Sequence, residues 1–335
     1  MTITSIGDLA QSIQLRRETA RLNQDLQRLT TEFSTGRKTD VHAAVGGDFR
    51  ALSGLERSLS SLDAYEVSVN EAALASEVGQ DILGRITSDA NDLSAALLMV
   101  QESTDAQLTA AAGADARQKF AAAVTGLNTN VAGRSLFAGE AFDSPALADP
   151  ETILADLFTA VGAAATEADV QTAVDAFFAP GGPFETVSYL GSAGPADPVA
   201  LGDGSTAQAM LNARDSEIVE VLKNLATGAL IDMGVLSTVP AERASLARTT
   251  GERLLTAQAG LVNARADLGV AQERIETAGS RISAERASYA LAREEILSAD
   301  PFETAAQLRD VEGQLQSLYL VTSRLSNLSL TNFLR

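Results

Sequence analysis

The sequence predicts a mainly α protein: an elongated, antiparallel, coiled-coil-like helical stalk formed by the N- and C-terminal halves of the chain, with a small mixed α/β insert domain. Three observations predict it. Apolar residues recur at three-and-four spacing at both ends, a seven-residue repeat runs through the last third, and Pro and Gly crowd into the middle. Composition agrees: 45% of the 335 residues are hydrophobic, but only 4% are aromatic and Trp is absent. Such a chain suits helices packed through Leu, Ile, Val and Ala better than a large globular core.

The first element spans Ser5 to Thr35. Leu15, Leu22, Leu26, Leu29 and Phe33 form one narrow stripe, interrupted only by Thr19, as in a helix that pairs with another helix. Gly36 supplies a stop, with Arg37 and Lys38 near the negative end of the dipole. A second helix is expected from about Phe49 to Val100, with Leu52, Leu55, Leu59, Leu62, Val69, Leu83, Ile86, Leu93 and Leu97 on roughly one face. A third covers about Asp115 to Val131, and residues 1–140 make the N-terminal half of the stalk.

Residues 141–240 read as the insert. Pro180 to Pro183 and Gly191 to Gly204 flank a short β-like stretch, Thr186 to Leu190, among helical patterns at about Glu151 to Val161, Glu167 to Phe178 and Ser216 to Leu225. Residues 140–245 hold 16 acidic and 3 basic side chains, net −13 of the chain's −19, which marks a solvated surface.

Residues 241–335 make the second half of the stalk. Leu254, Leu261, Leu268, Ile275, Ile282, Tyr289 and Ile296 recur at every seventh position. Ala257, Ala264, Ala271, Ala278 and Ala292 follow three residues behind, with only Glu285 breaking the row. A strict seven-residue repeat requires a left-handed supercoil and a partner. From Ala241 to Leu297 such a helix is about 85 Å long at 1.5 Å per residue. Asp300, Pro301 and Glu303 then read as cap, first turn and capping-box partner of a last helix. Its seam is Leu308, Val311, Leu315, Leu318, Leu325 and Leu328, with Thr322 the polar interruption. Two matching seams at the chain ends would hide each other by pairing.

Little in the sequence supports catalysis. There is no Cys, and the one His, His42, lies in an inter-helix loop with no second ligand, so no metal, cofactor or catalytic residue is expected. Gly46 to Phe49 superficially matches the signature of cyclic-dinucleotide synthases, and Gly202 to Ser205 a phosphate or cation loop. Both lack the strand context those sites need and read as turns. The acidic balance argues against nucleic acid and anionic membranes. No run approaches about 18 apolar residues, so no membrane insertion is expected. Met1 to Arg17 lack the pattern of a cleaved signal peptide.

Helical halves around an insert, with seams at both termini, resemble the flagellin superfamily. Asn130 to Gly139 is similar to the segment that closes the N-terminal half in the flagellar hook–filament junction family, hook-associated protein 3. Ser34 to Lys38 resembles the turn after that family's first helix, and Val187 to Gly191 its insert-domain hairpin. The run through Leu308, Leu315, Tyr319, Ser323, Leu325, Ser329, Leu330, Phe333 and Leu334 resembles its C-terminus. The loop from His42 to Asp48 departs from the superfamily, and the ending Asn332 to Arg335 is flagellin-like, so filament flagellin stays open beside a generic coiled-coil interaction protein.

The resemblance implies a structural, non-enzymatic subunit that self-assembles into a helical ring or tube. Its partners would be other hook-associated proteins and flagellin. It would leave the cell through the flagellar export apparatus with a chaperone, uncleaved, and act extracellularly.

Overall fold

A computed structural model of the chain describes residues 4–102, 106–202 and 204–333, with side chains from 10 to 100, 106 to 202 and 204 to 324. Asp203 and the side chains of Leu325 and Leu328 lie outside the described residues. In chain order the elements are α1 (Thr4–Thr35), α2 (Val41–Ala44), α3 (Arg50–Glu102), α4 (Ala106–Leu127), β1 (Asn130–Val131), β2 (Arg134–Ser135), α5 (Pro150–Val161) and α6 (Glu167–Phe178). A π-helical turn (Phe184–Ser188), β3 (Val199–Ala200), β4 (Thr206–Ala207), α7 (Ser216–Asp232), α8 (Pro240–Leu297) and α9 (Pro301–Phe333) follow. The fold is mainly α, and its described strands form two antiparallel two-stranded ribbons, β1 with β2 and β3 with β4.

The chain divides into two compact units, Met1–Asp63 with Ala284–Arg335, and Ala64–Ser283. The composition shifts near 141 and 240 fall inside the second unit. There, α3 and α8 run antiparallel. Gly279 faces Val69, Gly79 faces Leu268, Gln80 donates to the Arg265 carbonyl at 2.6 Å, and Ser94 donates to the Gly251 carbonyl at 3.0 Å. Leu254, Leu261, Leu268, Ile275 and Ile282 are buried against this partner, with Ala271 and Ala278 among them. Leucine on one helix opposite glycine on the other lets the backbones approach, the knobs-into-holes logic that a seven-residue repeat demands.

A second close approach joins α4 to α7. A Cβ on Gly113 would meet the Asp232 backbone nitrogen at 2.7 Å, and one on Gly228 would meet the Ala116 Cβ at 2.8 Å. Around this contact Phe120, Phe137, Ile153, Leu154, Leu225 and Leu230 complete one continuous core with α3, α5, α6 and the first part of α8. The connections between these helices are capped locally. Asp149 accepts from the Glu151 N–H ahead of Pro150, and Thr166 with Asp169 forms a capping box on α6.

Two expectations about this unit need correction. Val131 belongs to β1 and not to a helix. The Asn128 side chain exchanges two hydrogen bonds with the Leu147 backbone, donating at 2.9 Å and accepting at 2.8 Å, and so ends α4 by substituting for a strand neighbour. Ala132 and Gly133, at φ 52° and 84°, then make the tight turn to β2. Thr186 to Leu190 is likewise neither strand nor hairpin. Thr186 to Ser188 lie on the π-helical turn, where the Tyr189 N–H bonds the Phe184 carbonyl, and of the two residues that follow Tyr189 makes an isolated bridge, to Leu147. Burial of Phe184 against Phe178, ring centroids 4.7 Å apart, overrides the β preference of Thr, Val and Tyr.

Glycines at close contacts and glycines on open helix surface should respond oppositely to alanine. Gly54 on α3 and Gly313 on α9 have nothing within 4 Å of an added Cβ. Gly54→Ala and Gly313→Ala should each stabilise by about 0.5–1 kcal/mol through helix propensity. Gly113→Ala and Gly228→Ala should lower the thermal midpoint, and an increase for either would contradict the α4–α7 packing.

A carboxylate at the start of α7 links this unit to pH. Asp215 accepts from the Asn212 N–H at 2.8 Å, yet burial pushes its carboxyl above the usual range, and the charge of Glu217 acts in the same direction. The folded state therefore binds this proton more tightly than the unfolded chain, and that contribution to stability is lost as pH rises from about 4 through the raised value. Asp215→Asn removes the titration at constant shape. The thermal midpoint of the parent relative to this variant should fall as pH rises from about 4, and parallel profiles would show that Asp215 is not the group responsible.

Candidate assembly surfaces

In the first unit α1 and α9 pack antiparallel, Glu18 and Leu22 of one lying beside Gly313, Gln314 and Ser317 of the other. Leu22, Leu29 and Leu315 are buried; Leu15, Leu26, Leu308, Val311 and Leu318 are half-buried. The two polar interruptions cause no loss, since Thr19 donates to the Leu15 carbonyl and Thr322 to the Leu318 carbonyl, both at 2.8 Å. Asp300 caps α9, accepting from the Phe302 N–H at 2.8 Å and the Glu303 N–H at 3.2 Å.

Two residues placed on seams lie elsewhere. Phe33 is 52% exposed, because the last turn of α1 directs Glu32 inward instead. There its carboxylate accepts from the Thr39 N–H at 2.9 Å and pairs with Arg28 at 3.2 Å. Tyr289 is 36% exposed and Ile296 half-buried. This stretch of α8 belongs to the first unit and lacks the α4–α7 cluster that covers Leu254 and Leu261. A tyrosine can lie there with its body on the helix and its hydroxyl in water.

The terminal pair leaves apolar surface uncovered. Tyr319, Leu320 and Val321 are exposed, Leu320 by 63%, immediately after half-buried Leu318. Four consecutive residues occupy all sides of a helix, so α9 is apolar all round at this level while α1 covers one side. Ile13 is exposed on α1, and an open groove of about 640 Å³ runs between the helices past Leu22, Leu318 and Val321.

In the second unit α8 carries an outward row, Leu255, Ala259, Val262, Ala266 and Val270, that holds no charge. Its four-three-four-four spacing was present in the sequence, overshadowed by the stronger seven-residue seam beside it.

The insert segment presents the opposite character. The three basic residues of 140–245 are held within that stretch: Arg214 pairs with Glu185, Lys223 with Asp175 at 3.1 Å and Glu220 at 2.7 Å, and Arg243 donates to the Ile231 carbonyl at 2.9 Å. Most of its carboxylates have no cation of the segment to neutralise them. His42 sits exposed on α2, its ring 5.8 Å from that of Phe49. No described helix is long and apolar enough to cross a membrane.

Residues 253–334, most of α8 with α9, match the family described as the bacterial flagellin C-terminal helical region. No curated protein matches the chain by sequence. Among solved structures, a protein of Vibrio parahaemolyticus described as a flagellar hook-associated protein is similar at 13% identity, TM-score 0.51, over 73% of this chain and 95% of that one. Bacillus cereus FlgL aligns at 14% identity, TM-score 0.49, over 70% of this chain and 96% of that one. Residues 253–334 are thus similar to a bacterial flagellin C-terminal helical region, and the chain shares its fold with a flagellar hook-associated protein.

Proposed function

We propose that this chain is a structural subunit of the bacterial flagellum, placed at the hook–filament junction and assembling through its paired terminal helices. The observation that carries the reading is the stretch Leu318 to Val321, apolar on all sides and covered on one, within the segment that matches flagellins. A helix of that character is stable in water only when further neighbours bury it. Copies packing side by side with heterologous contacts supply those neighbours and propagate as a helical ring or tube. In this reading other hook-associated proteins and flagellin lie on either side, and the acidic insert faces solvent. The subunit reaches the cell exterior through the flagellar export apparatus with a chaperone, and it uses no cofactor and catalyses no reaction.

A second reading, subunit of the filament itself, is favoured by the flagellin description of the matched segment. Labelling the protein on intact flagella separates the two. A narrow band at the hook end is expected, and label along the whole filament would favour the second reading.

Deleting residues 301–335 should leave a soluble chain with a modest loss of helix by circular dichroism, and cells carrying only this version should be non-motile. Leu320→Asp, at an exposed position, should leave the melting profile of the isolated protein within about 0.5 kcal/mol of the parent and still abolish incorporation into flagella. Full motility with either variant would end the assembly role given to α9.

A further inference from the structure

Two short linkers join α1 and α9 to the rest of their unit, residues 36–49 after α1 and 298–300 before α9. They are tied to one another. The Lys38 N–H donates to the Leu297 carbonyl at 2.8 Å and the Ala299 N–H to the Gly36 carbonyl at 2.9 Å, pairing Arg37 with Ser298 as an antiparallel bridge. The Arg37 guanidinium also meets Glu294 at 3.0 Å. Each strand of this clasp is anchored to its own helix: the Gly36 N–H bonds the Glu32 carbonyl at 2.9 Å, Glu32 holds the Thr39 N–H, and Asp300 caps α9 directly after the bridge. Gly36 takes φ 68°, a left-handed conformation that turns the chain into the bridge.

The clasp solves a problem that the helix seam cannot. Leu15, Leu22 and Leu29 on α1, and Leu308 and Leu315 on α9, repeat every seven residues. Sliding one helix past the other by seven residues, about 10 Å, again sets leucine against leucine. The ion pairs of α1 do not oppose such a slip, since Arg21 with Glu18 and Asp25, and Arg28 with Asp25 and Glu32, run along the helix itself. The linker between bridge and α9 is too short to absorb 10 Å, because only Asp300 separates Ala299 from Pro301.

We infer that the clasp of residues 36–38 with 297–299 is a register lock, setting the axial alignment of α1 against α9 and hence which stretch of α9 lies beside which stretch of α1. The inference rests on the described unit and not on the flagellar assignment.

The chain has no cysteine, so spin labels can be placed cleanly at Arg16→Cys and Arg309→Cys, both exposed and offset along the pair. Pulsed electron paramagnetic resonance on the full-length chain should give one narrow distance. Lys38→Pro removes one clasp donor. A Gly-Ser-Gly-Ser insertion between Ala299 and Asp300 keeps the clasp and lengthens the tether. Each should add a second distance displaced by up to about 10 Å, with helix content by circular dichroism unchanged. One unshifted distance in both variants, or a featureless distribution in the parent, would overturn the register lock. So would a loss of helix in both variants, which would make the clasp a general part of the fold.

Discussion

The α3–α8 seam is the constraint on which the rest depends. A helix with apolar residues every seven positions carries a stripe that drifts around a straight helix, so it needs a partner that coils with it. Here the partner is α3, more than 150 residues away in sequence at the Ser94–Gly251 contact, and its glycines at 79 and 84 stand opposite large side chains of α8. Once this pairing is in place, the segment from α4 to α7 must leave α3 and return to α8, and it buries its own apolar faces in doing so. The close α4–α7 contact through Gly113, Ala116 and Gly228 is the device by which that excursion closes.

The two units differ in how they satisfy their apolar residues. In the second, Phe120, Phe137, Ile153 and Leu225 lie in a core enclosed by several helices. In the first, the α1–α9 pair has a single shared seam and exposes Tyr319, Leu320 and Val321. Two helices cannot enclose a core, since each covers only one side of the other. That shortfall leaves apolar side chains open to water, and the exposed Tyr319, Leu320 and Val321 lie in the stretch 253–334 that matches the flagellin C-terminal family. The stretch 140–245 does the reverse: carboxylates in surplus over internally held Arg214, Lys223 and Arg243 keep that surface hydrated.

Much of the helical organisation was legible because it rests on local signals. The limits of α6 were read from Glu167 to Phe178 as they stand, α8 to within one residue, and the Asp300 cap of α9 from an Asp-Pro-x-Glu pattern whose chemistry is local. The misreadings share a cause. Val131, Thr186 to Leu190, Phe33 and Tyr289 were placed by propensity or by extending a period, and each is decided by a specific contact that neither signal registers, or by the lack of one. Asn128 meets Leu147, Phe184 meets Phe178, and Tyr289 lies beyond the reach of the cluster that covers Leu254. Glu32, polar and 6% exposed, was invisible as a core position because its carboxylate is buried by the backbone it caps.

By itself the sequence determined that the chain is helical, that its ends carry matching seams, that α8 needs a coiling partner and that the middle is acidic, since all of these follow from periodicity, caps and charge within short windows. Only the tertiary structure decided which surfaces remain apolar in water, where the backbones touch through glycine, and how α1 and α9 are aligned. A heptad seam is degenerate under a seven-residue slip, so its register is set by the pairing of Arg37 with Ser298, a contact between two linkers that no local pattern announces.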